Sequence, residues 1–316
     1  MRSETPPLPI AIALVGATAS GKTAVSLALS QYIPSEILSA DSRQIYRYLD
    51  IGTAKPSLDE LSACMHHFID ILTPDIPYSA GEFADDAREV MTKLHARDVL
   101  PVIVGGSGLY IRALCEGIFQ ESELDTSGER AALDGRLLKE GRDALYDELC
   151  RIDPPSALRY SDKNPRRILR ALEYYYTTGI PLSQAHALSP LPPIPFTTYY
   201  FGINHPRDVL YERINRRCID MWESGLVDET QHVLDLGYSR DSNSLNTVGY
   251  KEAMCFLEGS MSAAEALAAM QQSTRRYAKR QLTWFRKNPA IQWLSGSTGE
   301  IAEQIAEQIT RRHVTG

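Results

Sequence analysis

Apolar residues run almost without interruption from Ile10 to Val15 and again from Leu100 to Val104, each run ending in glycine. Runs this short, with no polar alternation, fit strands buried on both faces. Glu36 to Ala40 and Phe68 to Leu72 read as further strands of the same kind, and Tyr199 to Ile203 as one more. Between them the apolar spacing changes to the helical period: Thr23 to Tyr32 after the first strand, Ala80 to Ala96 before the Leu100 strand. This alternation predicts an α/β fold built on a parallel sheet.

After about Gly117 the chain becomes charged and helix-forming, through Glu129 to Arg151 and Pro165 to Thr178, and closes on the prolines Pro190, Pro192, Pro193 and Pro195. We read residues 118–196 as a helical insertion. Residues 1–117 and 197–316 form the core, whose last part, from Arg207 on, is mostly amphipathic helix. The chain shows no internal repeat.

With 316 residues and 43% hydrophobic content the chain can bury a large core. No stretch reaches the roughly 20 apolar residues of a membrane span, so no membrane partner is expected. The first nine residues are polar and proline-rich and lack the pattern of a secretory signal. Five scattered cysteines, Cys64, Cys115, Cys150, Cys218 and Cys255, form no zinc spacing and read as buried thiols of a reducing cytoplasm. A net charge of −7 leaves any nucleic-acid contact to local basic patches.

The first glycine turn carries chemistry. Gly16-Ala17-Thr18-Ala19-Ser20-Gly21-Lys22-Thr23 fits G-x-x-x-x-G-K-[ST] and stands between a strand and a helix. In that setting successive N–H groups curl toward phosphate oxygens, Lys22 adds a mobile cation, and Thr23 offers a hydroxyl to Mg²⁺. The motif specifies a phosphate chain with its metal; kinase, NTPase and diphosphate-dependent transferase all remain open on it alone. Asp41 follows the second strand, at the strand end where open α/β sheets place ligands. It can accept a proton, hold a metal through water, or cap its loop.

The run Asp41-Ser42-Arg43-Gln44-Ile45-Tyr46, followed by Asp50-Ile-Gly-Thr-Ala-Lys-Pro56, resembles the tRNA dimethylallyltransferase family. His66 to Asp70, Tyr78 to Phe83, Pro101 to Tyr110, Arg170 to Tyr174, Val248 to Tyr250 and Lys279 to Arg286 are similar to family segments in family order, which extends the resemblance from about Gly16 to Arg286. Ala17 stands where the family often has Pro, Ser107 where it often has Thr, and Lys163-Asn164 where Asn-Asp is common.

The resemblance implies a P-loop core that binds dimethylallyl diphosphate through Gly16 to Thr23, with Mg²⁺ at Thr23. It implies transfer of the five-carbon group to the N6 amine of the adenine just 3′ of the anticodon, in tRNAs reading codons that begin with U. Asp41 is then the base, Ser107 a partner of the base or of Asp41, and Arg217 a further diphosphate contact, with a solvated charge on a basic helix as the alternative reading of Arg217. The implied contacts to the anticodon stem-loop are Asp41, Ser42, Arg43, Gln44, Ser107 and Arg130; Pro165, Arg166, Arg167, Ile168 and Leu169; and Asn246, Thr247, Val248, Gly249, Tyr250 and Lys251. Lys279, Arg280, Gln281, Leu282, Thr283, Trp284, Phe285 and Arg286 complete them, in a chain acting as a monomer.

Two basic patches support such a partner from the residues themselves. Arg275, Arg276, Lys279, Arg280, Arg286 and Lys287 fall within about 140° of one helix face if the helix reaches Lys287, interleaved with Trp284 and Phe285. Arg166, Arg167 and Arg170 make a second cluster in the insertion. A base inside a stacked loop must be turned out to react. His66 and His67 lack companion ligands and read as structural.

Overall fold

A computed structural model describes residues 8–119, 127–189, 191 and 193–314. The N-terminal segment and the prolines at 190 and 192 lie largely outside these residues. The chain forms two compact units, residues 1–116 with 194–316 and residues 117–193.

In chain order the first unit begins with β1 (Ile10–Val15), α1 (Lys22–Leu29), β2 (Ser35–Ser39), α2 (Leu58–Ala63), β3 (His66–His67), α3 (Ala80–His95), β4 (Leu100–Gly105) and α4 (Gly108–Glu116). The second unit holds α5 (Ser127–Glu140), α6 (Arg142–Ile152), α7 (Pro154–Arg159), α8 (Pro165–Thr178) and α9 (Leu182–Leu188). The chain then returns through β5 (Thr197–Ile203), α10 (Arg207–Glu223), α11 (Leu226–Asp235), α12 (Tyr250–Leu257), α13 (Ala263–Phe285), β6 (Gln292–Leu294) and α14 (Thr298–Val314). Among the described residues no helix is long and apolar enough to cross a membrane.

The six strands form one parallel sheet in the order β3-β2-β4-β1-β5-β6. Both faces are covered, which is why β1 and β4 read as continuous apolar runs. On one face Val25 and Leu29 of α1 meet Ile301, Ala302, Ile305 and Ile309 of α14 over Ile12, Leu14, Val102 and Phe201. The i, i+4, i+8 spacing of the α14 residues makes that contact possible. On the other, α3 buries Phe83, Ala84, Ala87, Met91 and Leu94, and Phe83 stacks on Tyr110 of α4 with centroids 4.7 Å apart. The register sets Val15 beside Gly105 and Ser39 beside Val104, so β1, β2 and β4 end at one level. The loops that leave these strands are therefore brought to a common edge.

Two expectations need correction, the strand at Phe68 to Leu72 and the burial of all five cysteines. Phe68 to Leu72 is not a strand: Phe68 and Asp70 have φ of 66° and 56°, a left-handed conformation that breaks strand pairing. The edge strand is His66–His67, while Phe68 turns inward onto Phe83 with centroids 5.1 Å apart; apolar spacing marked burial there, not strand geometry. The stretch Glu129 to Arg151 is two helices, because Gly141 with φ 84° ends α5. Strand β6, three residues long, went unread. Among the cysteines, Cys150 is exposed and Cys255 half-buried, unlike the other three.

Candidate functional site

At the shared strand edge lies a cleft of about 690 Å³. Its floor is the loop after β1. Gly21 caps α1 in the left-handed region at φ 90°, and Ala19 adopts φ 62°, so the backbone curls across the helix start. The first N–H groups of α1 have no partner inside the helix. Thr18, Ala19, Gly21, Lys22 and Thr23 line the cleft, whereas Ala17 and Ser20 are buried beneath it.

Charged side chains from separate elements face this space, among them Lys22 of α1, Asp41 after β2 and Arg217 of α10. Lys22 donates from Nζ to the carbonyl oxygens of Ala17 at 2.8 Å and Gly16 at 3.1 Å. Burial, and then the Arg217 charge, push its pKa down to about 8, with Asp41 opposing. Arg217 is likewise lowered, chiefly by burial, and Asp41 again opposes. Arg217 is half-buried and lines the cleft. Of the three jobs left open for Asp41, the loop cap is present, with Oδ1 accepting from the Arg43 N–H at 2.9 Å, and the residue also lines the cleft.

The depressed Lys22 pKa carries a testable consequence. An anion seated beside Nζ favours its charged form, so inorganic diphosphate binding near pH 8 should take up about half a proton, and almost none at pH 6.5. Above pH 8 affinity should fall as free Lys22 loses its proton. Calorimetry in buffers of differing ionisation enthalpy reads the uptake; a Lys22→Met protein that takes up as much would exclude Lys22 as its source.

Several side chains expected to face a ligand brace the cleft instead. Gln281 of α13 is buried, accepting at Oε1 from the Thr18 N–H at 2.8 Å and donating from Nε2 to Gly106 O at 3.0 Å. It ties the β1 loop to the β4 loop. Gly106 is needed there, since a Cβ would sit 2.0 Å from Gln281 Nε2. Ser107 Oγ accepts from the Ser42 N–H at 3.1 Å, so it holds the β2 loop rather than bonding Asp41. Gln44 donates to Thr53 O and Ala54 O and accepts from Ser39, fixing the wall at residues 53–56.

From the other side Glu229 of α11 receives the N–H groups of Asp50, Ile51 and Gly52 at 2.8–3.1 Å and the hydroxyl of Tyr250. Nothing in the local sequence around Glu229 announced this. Lys55, also on the wall, is neutralised by Asp50 and Asp70.

Arg213 and Arg216 of α10 and Tyr277 of α13 line the cleft without having been singled out for it. Arg213 lies four residues before Arg217, hence on the same helix face; its Nη2 would stand 3.3 Å from a Cβ on Gly21.

The basic face of α13 forms in part. Arg276, Lys279, Arg280, Thr283 and Arg286 are exposed, while Ala278, Gln281 and Phe285 are buried. Phe285 is 3% exposed and unavailable for stacking on a base; Trp284 remains at 38%. The helix stops at Phe285, so Lys287 lies beyond it, and Arg275 turns to Asn215 at 2.5 Å. Leu282 is half-buried. In the loop before α12 and at the start of that helix, Asn246 and Lys251 are exposed, Thr247 and Val248 half-buried, and Gly249 and Tyr250 buried.

Within the second unit, Arg166 and Arg167 are exposed near the start of α8 beside Pro165, but Ile168 and Leu169 belong to the core with Leu133, Leu145 and Leu149. Their side chains cannot reach a ligand. Asn164 caps α8 at the Arg166 N–H and Lys163 pairs with Asp143 at 2.8 Å, which gives the departing Lys-Asn pair local tasks. His66 Nδ1 lies 2.8 Å from Cys64 O while the residue lines the cleft, and His67 Nε2 lies 2.7 Å from Glu36.

A family model described as IPP transferase matches residues 44–288. The tRNA dimethylallyltransferase of Desulfitobacterium hafniense (strain Y51) is 41% identical over 300 residues, covering 94% of this chain and 95% of the relative. The solved full-length tRNA isopentenylpyrophosphate transferase from Bacillus halodurans superposes with a TM-score of 0.70 at 37% identity, over 96% of this chain and 95% of that one. A eukaryotic dimethylallyltransferase acting on tRNA shares the fold, with a TM-score of 0.81 at 24% identity over 97% of this chain and 80% of its own.

Proposed function

The chain belongs to the IPP transferase family, and from that premise we propose that it transfers a dimethylallyl group from dimethylallyl diphosphate to an adenine of tRNA. The acceptor is the N6 amine of the base just 3′ of the anticodon, in tRNAs that read codons beginning with U. The chain acts as a monomer in the cytoplasm. The observation that carries the reading is the shared cleft, in which Lys22, Asp41 and Arg217 face one space above the curled β1 loop.

In the reaction the C1–O bond of the donor breaks as the bond from N6 to C1 forms, and one N6 proton must leave. The unpaired N–H groups at the start of α1, Lys22 and Arg217 take up the charge of the departing diphosphate. Asp41 accepts the proton; the Arg43 N–H on Oδ1 fixes the orientation of its carboxylate. Gln281 and Ser107 hold the three loops at the spacing the transfer needs.

The residues present fit a magnesium ion. Thr23 lines the cleft with Asp41, and among the described residues its hydroxyl has no hydrogen-bond partner. Hard oxygen donors of this kind suit Mg²⁺, which keeps water and phosphate oxygens as its other ligands. Bound there, the ion would supply further positive charge to the diphosphate. Thr23 would hold it directly and Asp41 through water.

Incubating the protein with Mg²⁺ and labelled donor tests the reading against an unmodified anticodon stem-loop, free adenine nucleotides, and ATP with small metabolites. Label is expected in the RNA alone. Transfer only to free nucleotide, or phosphorylation of a metabolite, would overturn it. The exposed cations of α13 serve as phosphate contacts, so Arg276→Ala with Arg280→Ala should weaken RNA binding and lower the slope of log affinity against log salt by about 1.4–1.8. An unaltered slope would remove α13 from the RNA face.

A further inference from the structure

Of the hydroxyls that line the cleft, Ser26 and Thr53 donate to the carbonyl oxygens of Thr23 and Leu49, and Ser39 donates to Gln44 Oε1. The amides of Gln44 and Gln281 are engaged as well, on the carbonyl oxygens of Thr53, Ala54 and Gly106. Among the described residues, the cleft hydroxyls that donate to no acceptor are then those of Thr18, Thr23 and Tyr277. Thr18 and Thr23 belong to the phosphate loop. Tyr277 does not, and the transfer as derived above gives it no task.

Tyr277 stands one turn before Gln281 on α13, on the helix face that meets the β1 and β4 loops. Its oxygen is within reach of the Gln281 amide, and the Arg280 guanidinium lies over its ring at 5.7 Å from the centroid. Ring and oxygen are thereby held, while the hydroxyl proton is unspent. Of the charges around the phenol, Asp41 acts on it most strongly. Burial, and then that charge, push its pKa up to about 12, so it remains a donor at any physiological pH. The cleft thus sets an acceptor, Asp41, and a neutral donor, Tyr277, around one space.

We propose that the Tyr277 hydroxyl is a specificity-determining donor that hydrogen-bonds a ring nitrogen beside the N6 amine of the acceptor adenine, N1 or N7, while Asp41 receives the amine. The proposal rests on the tRNA reading above. On either edge an adenine presents a donor at N6 next to an acceptor, N1 on one side and N7 on the other. A carboxylate beside a phenol hydroxyl is the complement of that pair. Guanine carries the O6 acceptor where adenine carries the amine, so it would set oxygen against the Asp41 carboxylate and be refused. The same two contacts hold the amine in one orientation toward the donor carbon.

The competing account is that Tyr277 only braces Gln281. The kcat/KM is measured for the unaltered protein and Tyr277→Phe, each on anticodon stem-loops carrying adenine, 1-deazaadenine or 7-deazaadenine at the acceptor position. Phenylalanine keeps the ring under Arg280 and removes the hydroxyl alone, and thermal unfolding checks the fold. On adenine Tyr277→Phe is expected to lose about tenfold, the effect of leaving one acceptor unpaired in a desolvated site. On the analogue that lacks the bonded nitrogen, the same substitution should cost less than about twofold. The intrinsic reactivity of an analogue is common to both proteins and cancels in this cycle. Should an analogue react too slowly to follow, its inhibition constant against the adenine RNA takes the place of kcat/KM.

The analogue on which the loss disappears identifies the nitrogen as N1 or N7. A brace predicts an equal loss on all three RNAs, and that result, or full activity of Tyr277→Phe on adenine, would overturn the assignment. Failure of the unaltered protein to modify the adenine RNA would sink the tRNA reading and this contact with it. Normal transfer whose dependence on Tyr277 ignores both ring nitrogens would sink the contact alone.

Discussion

Asp41→Asn is expected to lower kcat by about 10²–10⁴-fold, the range a positioned general base contributes, while the Kd for the anticodon stem-loop stays within about twofold. Asparagine keeps an oxygen that can accept from the Arg43 N–H, so the cap seen at 2.9 Å survives the change. What disappears is an oxygen basic enough to take the N6 proton. The substitution thereby separates the observed loop cap from the proposed proton transfer. A cap alone would leave Asp41→Asn nearly as active as the unaltered protein, and single-turnover rates at saturating RNA decide between the outcomes. A secondary effect enters through charge: Asp41 favours the charged forms of Lys22 and Arg217. Diphosphate affinity of the variant should therefore fall as well, and earlier in pH. Measuring diphosphate affinity separately keeps that contribution apart from the proton transfer.

Lys22→Met should cost about 10²–10³-fold in kcat/KM, comparable with removing one preorganised donor from a developing negative charge. Methionine fills the space of the lysine stem without its charge. In the structure Nζ rests on the carbonyl oxygens of Gly16 and Ala17, close to where an anion on the α1 N–H groups would lie. Burial disfavours the ammonium there, so the unliganded variant should be no less stable in thermal unfolding than the original. Loss of activity together with retained stability would mark a group held ready for the leaving diphosphate. Near-normal transfer by Lys22→Met would move the diphosphate away from this loop. Lys22→Arg should not restore activity, because the rigid fork does not fit a position shaped for a compact cation.

The difference between what was readable along the chain and what was not has one physical origin. Strands β1, β2, β4 and β5 were legible as short apolar runs and helices α3 and α8 by their helical apolar spacing, and both patterns are local. The phosphate loop was legible because its glycines and Lys22 sit within eight residues of one another. Phe68 to Leu72 misled because only Phe68 is buried while Ile71 is exposed, and left-handed turns at Phe68 and Asp70 take the place of a strand. The second unit shows a similar limit, since Ile168 and Leu169 sit beside exposed Arg166 and Arg167 yet face inward.

By itself, then, the sequence determined a parallel α/β core, a phosphate-binding turn, a carboxylate at a strand end and two basic stretches, all of them properties of neighbours in the chain. Only the tertiary structure decided which of these meet. It set Arg217 opposite Lys22 and Asp41, drew Gln281 across 263 residues to the Thr18 N–H, and turned Phe285 inward while Trp284 stayed out. The physical reason is that a hydrogen bond or an ion pair depends on distance in space, and residues far apart in the chain acquire that distance only when the sheet register and the helix packing are complete.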